Sequence, residues 1–519
     1  MKQRNLRVLR IFVSVVFLLL FSVLFIDFRE WVSPVWTDRI LFLQFVPSVI
    51  RFITLPTLAA GGFILILFLT TLLGRVYCSF LCPLGIFQDI FAWISGKSRL
   101  IKRYRYRKAL NYLRYPLLAM AVIFLLFGSI YALNLLDPYS IFGRIFSDLV
   151  RPGVIALNNG IAGLLEKFDK YFLYRLNMQL ITWHTVLIPI VTLVLILWLS
   201  LLYGRLYCNA ICPVGTLFGL LSRLSIFKIK MNEGTCTKCG KCSFACKSSC
   251  IDVKSMEVDF SRCVACYNCI SVCPENSIRY QRTPVHKHPE PTNTSKRDFI
   301  GKTLLYGLAL SGLSKKSFAV VAAERPAGRI PNKKNHPVSP PGSVSLEHFN
   351  NRCTACHLCV TVCPTGVLQP SFLQYGFTGM MQPHMDYAVE YCNFECVKCG
   401  EVCPTAAILP LTVEDKKLEQ NGQVNFILEK CIVYTDNTSC GSCSEHCPTQ
   451  AVKMVPYNQT ALTIPQIDKE ICIGCGACEF ACPVKPHTSI FVDGNAVHQV
   501  AKKPKIEELK VDTQDAFPF

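Results

Sequence analysis

The sequence predicts an α-helical membrane bundle of four transmembrane helices, followed by small α+β domains built around clustered cysteines. Three observations carry this. Four stretches are apolar and long enough to cross a bilayer, in a 519-residue chain that is 51% hydrophobic with a mean hydropathy of +0.34. The 29 cysteines fall into C-x2-C-type groups, a spacing that favours metal ligation over disulfides. The disulfide prior belongs to short secreted chains. The net charge of +19 gathers in particular loops, which reads as membrane orientation. No phosphate-loop fingerprint is present, and nucleic acid is not an expected partner. The length suggests three or four units.

The first span is Val8–Ile26, preceded by Arg4, Arg7 and Arg10 and followed by Asp27, Arg29 and Glu30. At about 19 residues it can cross a core of roughly 30 Å. No small-residue cleavage site follows, so an uncleaved anchor is expected rather than a signal peptide. The second span covers 55–73, the third 116–136 and the fourth 185–202. The loop 74–115 carries nine Lys and Arg residues against one acid, Asp89, whereas the loops 27–54 and 137–183 mix both signs. The positive-inside rule then places the N-terminus, the loop 74–115 and the segment after span four in the cytoplasm.

Spans two and four end in one phrase. The first copy is Gly74-Arg-Val-Tyr-Cys78-Ser-Phe-Leu-Cys82-Pro83-Leu-Gly85; the second is Gly204-Arg-Leu-Tyr-Cys208-Asn-Ala-Ile-Cys212-Pro213-Val-Gly215. Cysteines four apart share a helix face. Cys78/Cys82 and Cys208/Cys212 are therefore candidate redox or metal-binding pairs, against the plainer reading of small buried side chains. Two thiolates do not complete a cubane, so spacing leaves their cofactor open.

Next come Cys236, Cys239, Cys242 and Cys246, then Cys263, Cys266, Cys269 and Cys273-Pro274. Two tandem C-x2-C-x2-C-x3-C runs are the ligand pattern of a bacterial-type ferredoxin. The fourth thiolate of each run reaches the other [4Fe–4S] cluster. Cys236, Cys239, Cys242 and Cys273 are expected to hold one cluster, and Cys263, Cys266, Cys269 and Cys246 the second. Lys-Ser-Ser-Cys250 follows Cys246 where a simple ferredoxin has proline, so Cys250 competes for that role; spacing favours Cys246. The expected fold class is thus a four-helix transmembrane bundle plus α+β ferredoxin-like iron–sulfur domains.

Four spans, two C-x3-C-P phrases and a double ferredoxin, over residues 1–280, resemble the NapH-type membrane ferredoxins. Related modules occur in the NosR and CcoG/RdxA families. The resemblance implies quinol-linked electron transfer beside a periplasmic nitrate-reductase-like system. The CcoG/RdxA and NosR likeness allows an alternative, an assembly or metal-reductase factor.

Residues 283–296 read as a polar, proline-rich linker. Ser295-Lys-Arg-Asp-Phe-Ile-Gly-Lys302, the apolar run 303–313 and the small-residue run 317–323 resemble a twin-arginine export signal, with Lys296 in place of the first arginine. Lys315 and Lys316 prevent an ordinary span. An exported, periplasmic C-terminal half is expected over a cytoplasmic linker helix.

That half holds four more groups: Cys353, Cys356, Cys359, Cys363; Cys392, Cys396, Cys399, Cys403; Cys431, Cys440, Cys443, Cys447; and Cys472, Cys475, Cys478, Cys482. Each ends in Cys-Pro, which favours four [4Fe–4S] clusters over zinc. Cross-ligation should pair the groups, but the spacing leaves the pairing open. Cys353-Thr-Ala-Cys356-His357 matches a haem c attachment phrase, yet the run continues into Cys359 and Cys363. Residues 345–487 resemble the NapG/MauM type of ferredoxin.

The expected organisation is a transmembrane domain (1–225), a cytoplasmic two-cluster ferredoxin (226–282), the linker (283–344), a four-cluster ferredoxin (345–500) and a charged, disordered tail (501–519). About six [4Fe–4S] clusters are expected, with the inner membrane, the quinone pool and a redox protein as partners. No hydrolytic constellation stands out, and no catalytic side chain is assigned. Quinol dehydrogenation, if present, belongs to the cofactors. His184, beside Trp183 at the outer start of span four, is the candidate contact for a quinone head group.

Overall fold

The computed structural model describes residues 5–29, 31–57, 61–97, 104–176, 183–282, 330–458 and 461–503. The export-like hinge and the tail beyond 503 lie outside these residues, as do the side chains of Trp183 and His184. The described chain forms two compact units. One takes 5–282, 342–384 and 398–410; the other takes 330–341, 385–397 and 411–503.

The first unit begins with α1 (Asn5–Ile26), α2 (Pro34–Leu41), α3 (Phe45–Thr54) and α4 (Gly62–Leu73), then the single turn α5 (Tyr77–Phe80) and α6 (Pro83–Lys97). After α7 (Asn111–Leu126) come α8 (Tyr131–Leu136), α9 (Pro138–Ile145), a π-helical turn at Phe146–Val150, and α10 (Arg151–Glu166). The helix α11 (Trp183–Tyr203) leads through a second π turn, Tyr207–Ile211, to α12 (Pro213–Ser222).

Among the described residues, two helices are long and apolar enough to cross a membrane, residues 5–26 and 185–203; they coincide with the first and fourth expected spans. The second expected span is shorter: α4 has 12 residues. The third is broken, because Gly128 (φ 77°) separates α7 from α8. The loop 74–115 is not all loop either. α6 packs on α1, α9 and α11, while α12 packs on α4 and α7. Each repeat thus sends the helix after its Cys-Pro against the helix that precedes the other copy of the phrase, α11 for α6 and α4 for α12.

A small α+β domain follows. The strands β1 (Phe227–Met231) and β4 (Ile278–Arg282) pair antiparallel from Phe227–Arg282 to Met231–Ile278. Between them lie α13 (Lys241–Phe244), the hairpin β2 (Ile251–Asp252) and β3 (Glu257–Val258), and α14 (Asn268–Val272). Its core is Ile229, Ile251, Ile270, Ile278 and the inner cysteines, with Leu6 of α1 packed against it. Arg7 donates to Ser271 Oγ at 3.0 Å. The other end of α1 packs Phe21 and Phe25 on Tyr139 and Phe142 of α9, with ring centroids 5.9–6.3 Å apart. The unit is completed by α15 (Leu346–Asn350), α16 (Leu358–Val362) and α17 (Lys398–Glu401).

The second unit is organised by an antiparallel pair, Glu419–Phe426 with Ile490–Val500, and a hairpin, Val452–Pro456 with Thr463–Ile467. The buried Glu479 receives the Val492 N–H at 2.7 Å and Lys334 Nζ at 3.1 Å.

Candidate functional site

Four cysteine loops share one backbone device. The residues on either side of the second cysteine have positive φ: Lys238 and Gly240, Ala265 and Tyr267, Ala355 and His357, Gly474 and Gly476. Successive residues in such conformations turn backbone N–H groups to one side and form a concavity suited to anions and iron–sulfur clusters. The turn then starts a short helix carrying the third cysteine. The residues present therefore fit the expected clusters. Lys238, Ala265, Tyr267 and Ala355 are not residues that announce a left-handed turn, so at those positions the sequence shows the ligand spacing but not the nest.

In the first domain, an apolar cavity is lined by Cys246, Cys250, Cys263, Cys266 and Cys269, with Ile229, Ile251, Val258 and Tyr267. Both contenders for the fourth position are there, their sulfurs 3.5 Å apart. The bond from Cys250 pulls the Cys246 thiol down to about 7 against burial, while bonds to Cys246 and Cys263 push the Cys250 thiol up. Spacing favours Cys246 as the ligand, with the Cys250 sulfur beside it. Around the other set, Cys242 feels Cys236 and Cys239; Cys273 is half-buried.

In the C-terminal half, Cys353, Cys356, Cys359 and Cys403 lie in the first unit and within electrostatic reach of one another. In the second unit, Cys472, Cys475 and Cys478 gather with Cys447, while Cys431, Cys440, Cys443 and Cys482 line one cavity. Cys403 of the second group thus stands by the first group, and Cys447 of the third by the fourth. Cys363 and Cys399 fall in the first unit, and Cys392 and Cys396 in the second. Burial pushes Cys359 and Cys478 well up, so iron binding there must displace a proton. His357, of the haem-like phrase, is engaged otherwise. Its Nδ1 pairs with Asp148 at 2.8 Å and its Nε2 donates to the Met381 carbonyl at 2.7 Å.

The repeated phrase folds alike twice. Gly74 (φ 82°) and Gly204 (φ 67°) end the preceding helices. The Cys82 and Cys212 N–H groups donate to the Tyr77 and Tyr207 carbonyls at 2.9 and 3.0 Å. Pro83 and Pro213 then open α6 and α12, the position where a missing N–H costs nothing. The glycine of C-P-x-G is required: a Cβ on Gly85 or Gly215 would collide with the Cys78 or Cys208 carbonyl oxygen.

The two copies are interlocked. Arg75 of the first donates to the Cys208 carbonyl at 3.1 Å, and Arg205 of the second donates to the Cys78 carbonyl at 2.6 Å. All four cysteines are 3–4% exposed. Cys82 lies within electrostatic reach of Cys78 and Cys208, and Cys212 of all three others. The sequence presents two pairs; the fold brings them to one centre.

Asp89, the lone acid of the basic loop, is buried beside this centre. It binds Arg10 at 2.5 Å and Arg205 at 2.7 Å, with Lys247 at 3.5 Å. Lys247 follows Cys246 in the chain, and its carbonyl accepts the Arg205 N–H at 3.0 Å. A cavity of about 310 Å³ opens nearby, lined by Arg7, Trp93, Tyr104, Lys247 and Asn268 among others.

On the opposite side, the Gly143 Cα of α9 lies so close to the Cys356 carbonyl that any Cβ would collide with it. Arg151 donates to the Thr361 carbonyl at 2.8 Å, and Asn134 to that of Met380 at 2.9 Å.

Comparison with known families agrees with the cysteine pattern. Residues 55–101 and 185–232 match one 4Fe-4S binding domain model, 256–279 and 347–369 match another, and 438–485 match a 4Fe-4S dicluster domain. YccM of Escherichia coli (strain K12), which carries an electron-transport name, is 27% identical over 229 residues, 42% of this chain and 55% of the relative. The match therefore spans about half the length of that protein. The methylamine utilization ferredoxin-type protein MauM of Methylophilus methylotrophus is 32% identical over 149 residues, 28% of this chain and 65% of MauM. The ferredoxin-type protein NapF of Escherichia coli (strain K12) is 27% identical over 160 residues, 31% of this chain and 88% of NapF. No solved structure matches. The chain carries several 4Fe-4S binding domains and is similar to ferredoxin-type electron-transport proteins.

Proposed function

We propose that this chain is a membrane-bound iron–sulfur electron-transfer protein. It takes electrons from quinol and passes them through [4Fe–4S] clusters to a respiratory redox partner, of the kind that serves a periplasmic nitrate-reductase-like system. The observation that carries this reading is the placement of cysteine loops at both ends of one apolar helix. The Asn5 end of α1 meets the domain of Cys236–Cys273, and its Phe25 end packs with α9, which abuts Cys356.

The membrane setting is supported by the outer face of the bundle. Val8, Phe12 and Leu19 of α1, Phe68 of α4, Leu126 of α7 and Val191, Val194 and Trp198 of α11 are more than half exposed. Apolar surface of that extent is rare on a soluble monomer and suits lipid. With α1 as a transmembrane helix, the two cysteine-bearing elements stand on opposite sides, which agrees with export of the C-terminal half.

In this reading the ligand sets are Cys236/239/242/273, Cys246/263/266/269, Cys353/356/359/403, Cys431/440/443/482 and Cys447/472/475/478, and Cys363, Cys392, Cys396 and Cys399 stay as candidate iron ligands from their spacing alone. When bound, the clusters supply one-electron carriage; the chain spaces them, excludes water and sets their potentials. The cavity of Arg7, Trp93, Tyr104, Lys247 and Asn268 is the proposed seat of the quinol head group, in preference to His184, since Ala245 and Lys247, the chain neighbours of Cys246, line it. Anaerobic addition of menaquinol or ubiquinol to the purified, oxidised protein should reduce part of the clusters, read by electron paramagnetic resonance. An assembly or metal-reductase factor requires no such reduction, so clusters that respond to dithionite but never to quinol would overturn the proposal.

A further inference from the structure

The two ends of α1 are too far apart for a direct electron transfer. Arg7, which bonds the first ferredoxin, and Phe25, which packs at the other end, are 18 residues apart along a helix that rises 1.5 Å per residue, about 27 Å. Tunnelling falls off exponentially with distance, and a single step of that length does not support turnover. Something must stand between.

We propose that Cys78, Cys82, Cys208 and Cys212 hold one further iron–sulfur cluster at the centre of the bundle. The assignment rests on the electron-transfer reading above and supplies its missing intermediate station. Three observations bear on it.

The first is position. Ser14 of α1 donates to the Ser79 carbonyl at 2.7 Å, beside Cys78. Ser14 is about 13 Å of helix from Asn5 and about 18 Å from Ile26, so the four thiols lie near mid-depth.

The second is charge. Arg75 is fully buried, and its hydrogen-bonding oxygens among the described residues are neutral: Asn209 Oδ1 at 2.9 Å and the Ser261 and Cys208 carbonyls at 3.0 and 3.1 Å. A buried guanidinium with only neutral partners is costly. Its Nη2 stands 3.9 Å from Cys78 Sγ, and a cluster on four thiolates would provide the missing anion.

The third is an orphaned donor. Gln88 is fully buried and its Nε2 has no hydrogen-bond partner among the described residues, while its Oε1 lies 3.4 Å from Cys208 Sγ. Here the amide oxygen accepts from the Cys208 S–H; with the amide turned over, Nε2 would donate to the sulfur, and hydrogen bonds to sulfur are a principal control of cluster potential.

The connections run both ways. Towards the first ferredoxin, the Lys247 carbonyl, one residue from Cys246, accepts the N–H of Arg205, three residues from Cys208. Towards the other side, Tyr207 donates to the Leu136 carbonyl at 2.9 Å. Asp137 follows and caps α9 through the Ser140 N–H at 2.9 Å, and α9 abuts Cys356. One electron enters and one leaves; no bond to substrate forms.

Of the 29 cysteines, this assignment leaves only Cys250 without a ligand role. The test uses the full-length protein, purified anaerobically in detergent. Iron and acid-labile sulfide should exceed the about 24 of each that six cubanes provide by two to four per chain, with Mössbauer and redox-titrated paramagnetic resonance showing one more centre. Cys82→Ala/Cys212→Ala should lose that increment and that signal alone. Gln88→Leu should keep the iron and shift the potential of that signal alone. Should the double variant not fold, the wild-type count and the Gln88→Leu titration still decide. No iron beyond about 24, or stoichiometric zinc in its place, overturns the assignment. Quinol-reducible clusters without the extra centre would sink this assignment and spare the proposed function; an extra centre in a protein inert to quinol would do the reverse.

Discussion

At the scale of single residues, Cys246 and Cys250 show how little separates a ligand from its neighbour. Both line the same cavity, and their sulfurs lie 3.5 Å apart. Removing the ligand differs from removing the donor. Cys246→Ala should cost one cluster, about four irons per chain. Cys250→Ala should keep the iron and lower that cluster's potential, because a hydrogen bond to sulfur favours the reduced, more negative state. Iron analysis with redox-titrated paramagnetic resonance distinguishes the two; iron loss only in Cys250→Ala would reverse their roles. The spacing in the sequence already favours Cys246. What it could not show is that Cys250 stays beside the same cavity.

At the scale of elements, the repeat was legible and its interlocking was not. The phrase G-R-x-Y-C-x3-C-P-x-G marks two equivalent turns, but only the fold shows Arg75 and Arg205 exchanged between copies, and α6 and α12 swapped onto the helices that precede each other's phrase. α6 was hidden because its polar residues resemble a cytoplasmic loop. Gln88, Asp89 and Ser95 are all buried, and Asp89 answers charges from α1, the second repeat and the ferredoxin loop. Helix lengths were also misjudged, since hydropathy runs through Gly128 where the backbone does not. Removing one partner of a buried ionic cluster costs about 3–5 kcal/mol. Asp89→Asn should therefore lower the Tm of the detergent-solubilised protein markedly and free the first ferredoxin from the bundle. An unchanged Tm would show that Asp89 does not tie these elements together.

At the scale of the whole molecule, cysteine spacing revealed the modules but not their arrangement. The six expected cluster sets follow from ligand counting. Which groups stand together became visible only when Cys403 was found with Cys353–Cys359, and Cys447 with Cys472–Cys478. The unsolved step in the sequence was how electrons pass between a ferredoxin at one membrane face and cysteines expected at the other. The structure bears on it through α1, whose two ends meet different cysteine-bearing elements, and through the four buried thiols between them. The central claim is that this chain conducts electrons across a membrane. The most direct measurement reconstitutes it in sealed vesicles with ferricyanide trapped inside and dithionite, which does not cross lipid, added outside. The account predicts bleaching of the trapped ferricyanide well above protein-free vesicles, and its loss in Cys82→Ala/Cys212→Ala. Bleaching no faster than in protein-free vesicles, from protein shown to hold its clusters, would contradict it.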